Sequence, residues 1–172
     1  MMAKFLKRLV GACLLLALQV LLLNKIHILG CATPYFFIYF ILRLDTGTSQ
    51  ASRMLWAFML GLTVDVFSNT VGMHAASATL LAYAQPVLLR KVFAYDRRDR
   101  IKPCVASVGM RPFLLYAVCG TLLHHTVFCL LRVFSFDGVW MLVQMILLSS
   151  LMTVALMIVS ELLLGRNSRR RR

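Results

Sequence analysis

Two carboxylates, Asp65 and Glu161, and three imidazoles lie inside apolar stretches of this sequence, where ionisable side chains are costly and usually have a function. Asp65 lies in GLTVDVFSNTVGMHAAS, His74 follows it nine positions later, and His124 and His125 form the pair in TLLHHTVF. Imidazole and carboxylate groups of this kind can ligate a metal ion or relay protons. Both require the side chains to converge, and neither HxxxH nor HExxH spacing is present to place two histidines on one helix face.

The sequence around Asp65 predicts a tight helical hairpin. The first helix is expected to end near Phe67, because SNT supplies turn and cap residues, and the next helix follows at once. Asp65 and His74 would then lie on adjacent antiparallel helices, near the same membrane surface, and could pair directly. Gly61, one turn before Asp65, and Gly72, at the start of the next helix, permit close backbone approach.

The adjacent histidines His124 and His125 point about 100° apart on a helix, so they cannot face one partner equally well. One of them is expected to approach Asp65 and His74. The polar set could join helices structurally, shape a groove for a partner, ligate a metal or relay protons. It consists of Gly61, Asp65, Gly72, His74, His124 and His125.

Enzyme motifs are missing from the sequence, which has no GxSxG, Walker loop or paired catalytic carboxylates. We therefore expect no enzymatic activity, no cofactor and no resident metal. Glu161, near the end of the last apolar segment, is expected to reach the membrane interface or to pair locally, one turn from Arg166.

These polar residues are positioned by a chain that is mostly apolar. It has 172 residues, 60% of them hydrophobic, and a mean hydropathy of +0.81. Charge-free runs recur throughout, which predicts a single all-α polytopic membrane domain with six transmembrane helices. The predicted spans are about 5–23, 28–44, 53–67, 71–89, 112–131 and 139–164. The second and third are short for a span of roughly 20 residues, so they must tilt, pack against longer neighbours or enter as broken helices.

The basic residues predict the orientation of the chain. With six spans, 17 of the 19 lysines and arginines fall on the side that holds both termini, and only Lys25 and Arg132 fall on the other. The positive-inside rule then places both termini in the cytoplasm. This distribution explains the net charge of +13 without nucleic acid, for which no motif is present.

A basic loop, 90–111, and a basic tail, 165–172, form the expected cytoplasmic surface. They are predicted to contact anionic lipid or to dock a cytoplasmic partner. The residues assigned to this surface are Arg97, Arg98, Arg100, Lys102, Arg169 and Arg170.

The segment GLTVDVFSNTVGMHAASATLLAYAQPVLLRKVF closely resembles the MreD family of rod shape-determining proteins, in the form found in Bacteroidetes-type bacteria. The family pattern is G-x-x-x-D-x-F, a short turn, and G-x-H/x-A before an apolar helix. Here its positions are Gly61, Asp65, Phe67, Gly72 and His74. The segments LNKIHILGCATPYFFIYFIL and LHHTVFCLLRVFSF also resemble the family.

The resemblance implies a multi-pass scaffold of the cell-elongation machinery in the bacterial inner membrane, regulating cell shape and lateral peptidoglycan synthesis. Implied partners are a bitopic MreC-like protein, a RodA and transpeptidase synthase complex and, indirectly, the MreB filament. The implied fold is similar to the substrate-binding subunits of energy-coupling-factor transporters. Two alternatives follow: a small-molecule-binding subunit of such a transporter, which needs convergent polar side chains in an outward cavity, and a proton-coupled relay.

Overall fold

A computed structural model describes residues 2–25, 33–93, 101–132 and 139–169. In these ranges the chain forms helices and no strand, which confirms the all-α prediction for this part of the molecule. The helices are α1 (Met2–Leu21), α2 (Ile38–Leu42), α3 (Gln50–Ser68), α4 (Met73–Phe93), α5 (Val105–Val108), α6 (Met110–Arg132) and α7 (Val139–Arg169). A short 3-10 turn, Leu23–Lys25, follows α1.

Membrane-spanning capacity is clearest in three places. Within the described ranges, Arg8–Lys25, Met110–Arg132 and Trp140–Leu164 are long and apolar enough to cross a bilayer. The 19-residue α3 and the 21-residue α4 are not among them, and both helices carry buried polar residues such as Arg53 and Gln85. The chain is thus a helical membrane protein, and the six-span count stays a prediction.

The long helices run between two ends of the bundle. At one end, Asn24, in the turn that follows α1, donates a 2.8 Å hydrogen bond to the Ser68 hydroxyl at the end of α3. At the other, Arg8 of α1 donates a 3.2 Å bond to Thr48, just before α3. We call these the hairpin end and the basic end. Glu161 of α7 pairs with Arg43, which shares a cavity wall with Arg8, so α7 ends on the side where α1 begins.

The predicted second span, 28–44, is helical only at Ile38–Leu42 in its described part. At 1.5 Å per residue, this five-residue helix is about 7.5 Å long and cannot cross a membrane alone. Residues 33–35 are irregular, and nearly every side chain from Pro34 to Leu44 is buried. We call 33–44 the buried segment, and it has the broken-helix form that the short apolar run in this region allows.

Several boundaries differ from the sequence-based expectation. α3 starts at Gln50, three residues before the predicted span, because the Ser49 side chain accepts a 3.3 Å bond from the backbone N–H of Ser52 and caps the helix. With 19 residues, α3 is not short. The predicted basic loop is partly helical, since α4 continues to Phe93 and α5 and α6 both begin before residue 111. α7 likewise extends into the predicted tail.

Pro86 lies inside α4 rather than at its end. A proline has no N–H, so the carbonyl four residues earlier, that of Ala82, loses its helical partner. The side-chain amide of Gln50 donates to this carbonyl at 3.4 Å and to that of Tyr83 at 3.2 Å. α4 therefore passes through its proline with the freed carbonyl satisfied by α3.

Candidate functional site

Asp65 caps the start of α4 with its carboxylate. One carboxylate oxygen accepts from the backbone N–H of His74 at 3.0 Å and from the Thr70 hydroxyl at 2.6 Å. The other accepts from the backbone N–H of Ala75 at 2.9 Å. A helix N-terminus has free N–H groups and a positive dipole end, and a buried carboxylate satisfies both. Of the possible partners of Asp65, the structure shows the His74 backbone N–H rather than the His74 side chain.

The hairpin between α3 and α4 is closed by backbone geometry that only a few residue types permit. Asn69 adopts a left-handed conformation with φ of 54°, and Gly72 has φ of 71°. At Gly61, an added Cβ would lie 2.6 Å from the Ala75 Cα and from the His74 carbonyl oxygen. The two backbones therefore touch at Gly61, and this contact brings the Asp65 carboxylate to the first turn of α4.

The three histidines lie together in one buried cluster. His74 has 1% of its surface exposed, His124 0% and His125 1%. Their rings surround Tyr35 of the buried segment, with ring centroids 4.4, 6.0 and 5.4 Å from the tyrosine ring. The His74 ring also stacks on Phe128 at 4.2 Å. Both members of the adjacent pair join the cluster, because Tyr35 is large enough to contact two faces of α6.

Hydrogen bonds in this cluster go to backbone and hydroxyl groups rather than between the rings. His125 Nδ1 lies 2.8 Å from the Thr121 carbonyl, which can only accept, so Nδ1 carries the proton. The Ser77 hydroxyl is 2.8 Å from the Met73 carbonyl, to which it donates, and it accepts from His124 Nε2 at 3.1 Å.

One ring nitrogen of each histidine in the cluster is buried without a hydrogen bond to any described residue. His74 Nδ1, His124 Nδ1 and His125 Nε2 are buried and unpartnered within the described ranges. There, no group of three or more His, Cys, Asp or Glu side chains is placed to hold a metal ion. Because the rings meet by aromatic contact, the arrangement is suited to packing helices together.

Two buried glutamines, absent from the sequence-predicted set, satisfy the backbone of the buried segment. Gln19 of α1 accepts from the N–H groups of Phe36 at 2.7 Å and Phe37 at 3.3 Å, and it donates to the Pro34 carbonyl at 3.0 Å. Gln85 of α4 donates to the carbonyls at the other end of α2, at 3.1 to 3.4 Å. These carbonyls belong to Ile41, Leu42 and Leu44.

Helices α6 and α7 bind the same segment. The Tyr116 hydroxyl donates to the Leu42 carbonyl at 3.0 Å. Thr153 accepts from the backbone N–H of Tyr35 at 3.1 Å, and Ser149 from that of Thr33 at 3.2 Å. Irregular backbone in a membrane protein must have its polar groups satisfied by protein. The buried segment meets this requirement with side chains from four helices.

Glu161 forms a second polar centre near the basic end, which corrects the expectation of an interfacial or local role. It is 5% exposed. One oxygen accepts from the Tyr39 hydroxyl at 2.6 Å and lies 3.3 Å from Arg43 Nη1. The other accepts from the backbone N–H of Val105 at 3.0 Å. Glu161 therefore ties the buried segment and α5 to α7.

The predicted basic surface is only partly within the described residues. Lys102 precedes α5, and Arg169 is the last residue of α7. Arg97, Arg98, Arg100 and Arg170 lie outside the described ranges.

Fold and site together define a helical membrane protein with a packed polar interior. In comparisons with known proteins, the chain matches no protein-family model, no curated protein and no solved structure. The resemblance to the MreD family consequently rests on the sequence segments quoted above.

Proposed function

We propose that this chain is a non-enzymatic scaffold in the bacterial inner membrane, crossing it six times with both termini cytoplasmic. It binds partner membrane helices of the cell-elongation complex and thereby regulates cell shape and lateral peptidoglycan synthesis. The partners are a bitopic MreC-like protein and, with it, the RodA and transpeptidase synthase, with the MreB filament reached indirectly. The proposal takes its biological setting from the sequence resemblance and its mechanism from the packing described above.

The observation that carries the scaffold mechanism is the burial of Asp65 and of the three clustered histidines near the hairpin end. A transporter subunit would need these groups to face a cavity. Instead His74 and His124 are at most 1% exposed and pack on aromatic rings, and both oxygens of Asp65 are used to cap α4. These groups stabilise the molecule's own shape, which leaves its outer surfaces to bind partners.

The partner surface we assign is a stripe of exposed apolar residues on α3. The small-residue surface around Gly61, first considered for partner binding, is occupied by α4. The stripe lies elsewhere on the same helix, with spacings of three and four residues that place its members on one side. They are Leu55, Phe58, Met59, Leu62 and Val66, each 39–73% exposed. A single transmembrane helix of a bitopic protein has the right shape and polarity to pack along it.

Photo-crosslinking from this stripe tests the proposal. A photoreactive residue at Phe58 or Leu62 should capture a one-span membrane protein of the wall-synthesis machinery, identified by mass spectrometry. The same probe at Leu147 or Leu151, exposed residues of α7, serves as the matched control and should give less of that adduct. Capture of an ATPase module, or equal capture from both helices, would contradict the proposed partner surface.

Depletion tests the biological setting separately. Removing the protein from rod-shaped cells should make them round, because lateral wall synthesis loses its scaffold. If the cells keep a normal rod shape after complete depletion, the proposed role in cell elongation is wrong. Saturable binding of a small molecule at the hairpin end would instead favour the transporter class.

A further inference from the structure

A cavity of about 390 Å³ lies at the basic end, between α1, the C-terminal half of the buried segment and Lys102 in the loop before α5. This volume is within the range of small-ligand sites. Its wall combines apolar and charged side chains. The lining residues are Arg8, Gly11, Leu15, Tyr39, Phe40, Arg43, Leu44, Asp45 and Lys102.

Three cations and one carboxylate line this cavity, so its wall has an excess of positive charge. Partial burial, and after it the positive charge of Arg43, hold the pKa of Lys102 below its usual range. Within the described residues, Lys102 has no ion pair within 4.0 Å. Arg43 and Lys102 stay close to each other because the loops that carry them are joined at Thr46 and Ile101. The backbone and side-chain hydrogen bonds between these two residues are 2.9 to 3.1 Å long.

The hydrogen bonds of the charged side chains leave donors free for a ligand. Arg43 uses Nη1 for Tyr39 and Glu161, whereas its Nη2 has no hydrogen-bond partner among the described residues. Arg8 makes one bond, to the Thr48 hydroxyl. The one acid in the wall, Asp45, already accepts from the backbone N–H of Gly47 at 2.9 Å.

We propose that this cavity binds a phosphate group through Arg8, Arg43 and Lys102. Guanidinium and ammonium groups are the side chains that recognise phosphate in proteins, by charge-assisted hydrogen bonds. The phosphate belongs either to the headgroup of an anionic lipid or to a soluble phosphate, since both present the same oxygens. The apolar walls formed by Leu15, Phe40 and Leu44 would face the uncharged part of a lipid.

The purified full-length chain contains its own reporter for this site. Trp56 lies 5.6 Å from Phe40 of the cavity wall, measured between ring centroids. The sequence has two tryptophans, so Trp140→Phe leaves Trp56 as the single tryptophan, which is excited selectively at wavelengths where tyrosine does not absorb. In an uncharged maltoside detergent, this fluorescence is followed during titration with inorganic phosphate, against chloride at matched ionic strength. A second titration uses phosphatidylglycerol, against uncharged diacylglycerol.

The expected result is a saturable change with at least one of the two phosphate probes and none with its control. Binding of phosphatidylglycerol alone identifies a lipid headgroup, and binding of both probes identifies a general phosphate site. Arg8→Gln with Lys102→Gln should weaken binding about tenfold or more, the usual effect of losing a hydrogen bond to a charged group. Asp45→Asn should tighten it, because this carboxylate of the wall becomes a neutral amide.

Arg90→Gln with Lys91→Gln is the matched control, since it removes the same charge from exposed positions near the end of α4. Arg43 is left unchanged because its substitution would leave the buried Glu161 carboxylate without its ion-pair partner. No saturable change with either probe overturns the proposal. So does an equal loss of binding in both double variants, which would show attraction to overall charge rather than to this cavity.

Discussion

Asp65→Asn should destabilise this protein almost as much as Asp65→Ala. The carboxylate accepts backbone bonds through both oxygens, from His74 and Ala75. Asparagine supplies one acceptor oxygen and replaces the other with an amide that can only donate, so one buried N–H meets another donor. Alanine removes both acceptors.

The magnitude follows from the number of donors left without an acceptor. Each unsatisfied buried N–H lowers the free energy of unfolding by about 1–3 kcal/mol. Loss of an N-cap lowers it by roughly 0.5–2 kcal/mol. These contributions overlap, and in Asp65→Asn the contact between two donors offsets the acceptor that remains, so we expect about 3 kcal/mol for either variant of Asp65. At about 2–4 °C per kcal/mol for a chain of this length, the midpoint of thermal unfolding should fall by roughly 6–12 °C.

The assay is thermal unfolding of the purified protein in detergent, followed by circular dichroism. Asp45→Asn is the control, because among the described residues the Asp45 side chain accepts from the Gly47 N–H in an exposed turn and asparagine can make the same bond. Its midpoint should stay within about 2 °C of the parent. If Asp65→Asn behaves like this control, the capping role is wrong, and a role that depends on the charge of Asp65, such as a proton relay, gains support.

Two further substitutions test the contacts that position the site. Gly61→Ala should cost about 1–3 kcal/mol because its Cβ would overlap the backbone of α4. Gly11→Ala, with open space around the added Cβ, should be neutral or slightly stabilising; equal midpoints for the two variants would contradict the close approach. Gln85→Leu should cost about 2–4 kcal/mol and speed amide exchange in the buried segment, because carbonyls of α2 lose their donor. Gln144→Leu, at an exposed position of α7, should change neither quantity, and unchanged exchange after Gln85→Leu would refute the assigned role.

Local sequence patterns predicted the hairpin well. Gly61, Asp65 and Gly72 are close in the chain, and turn chemistry with small residues limits how two helices can meet there. The partner of Asp65 stayed open at the level of sequence, because backbone N–H groups are present at nearly every residue and leave no mark in the sequence. A carboxylate a few residues before a helix start is the signal that would have suggested a cap.

The long-range contacts could not be predicted from local sequence patterns. Gln85 and Gln19 look like ordinary interruptions of an apolar helix, and only the fold shows that they face the same irregular segment from two sides. Glu161 meets Tyr39 across 122 positions of chain, so its burial depends on packing that no local pattern encodes. A short apolar run such as 33–44 can tilt, pack against longer neighbours or form a broken helix. Deciding among these three options requires knowledge of the distant partners.

The order in which the chain is made has a consequence for the buried segment. Its peptide groups emerge early in synthesis, whereas Gln85, Tyr116 and Thr153, which satisfy them, are added only as the later helices are made. Until then, residues 33–44 have polar backbone that lipid cannot satisfy. The segment must therefore wait in water, in the headgroup region or beside the insertion machinery, and enter its final place late. A chain stopped before α7 would lack the Thr153 contact, and quality-control proteases could recognise the exposed segment.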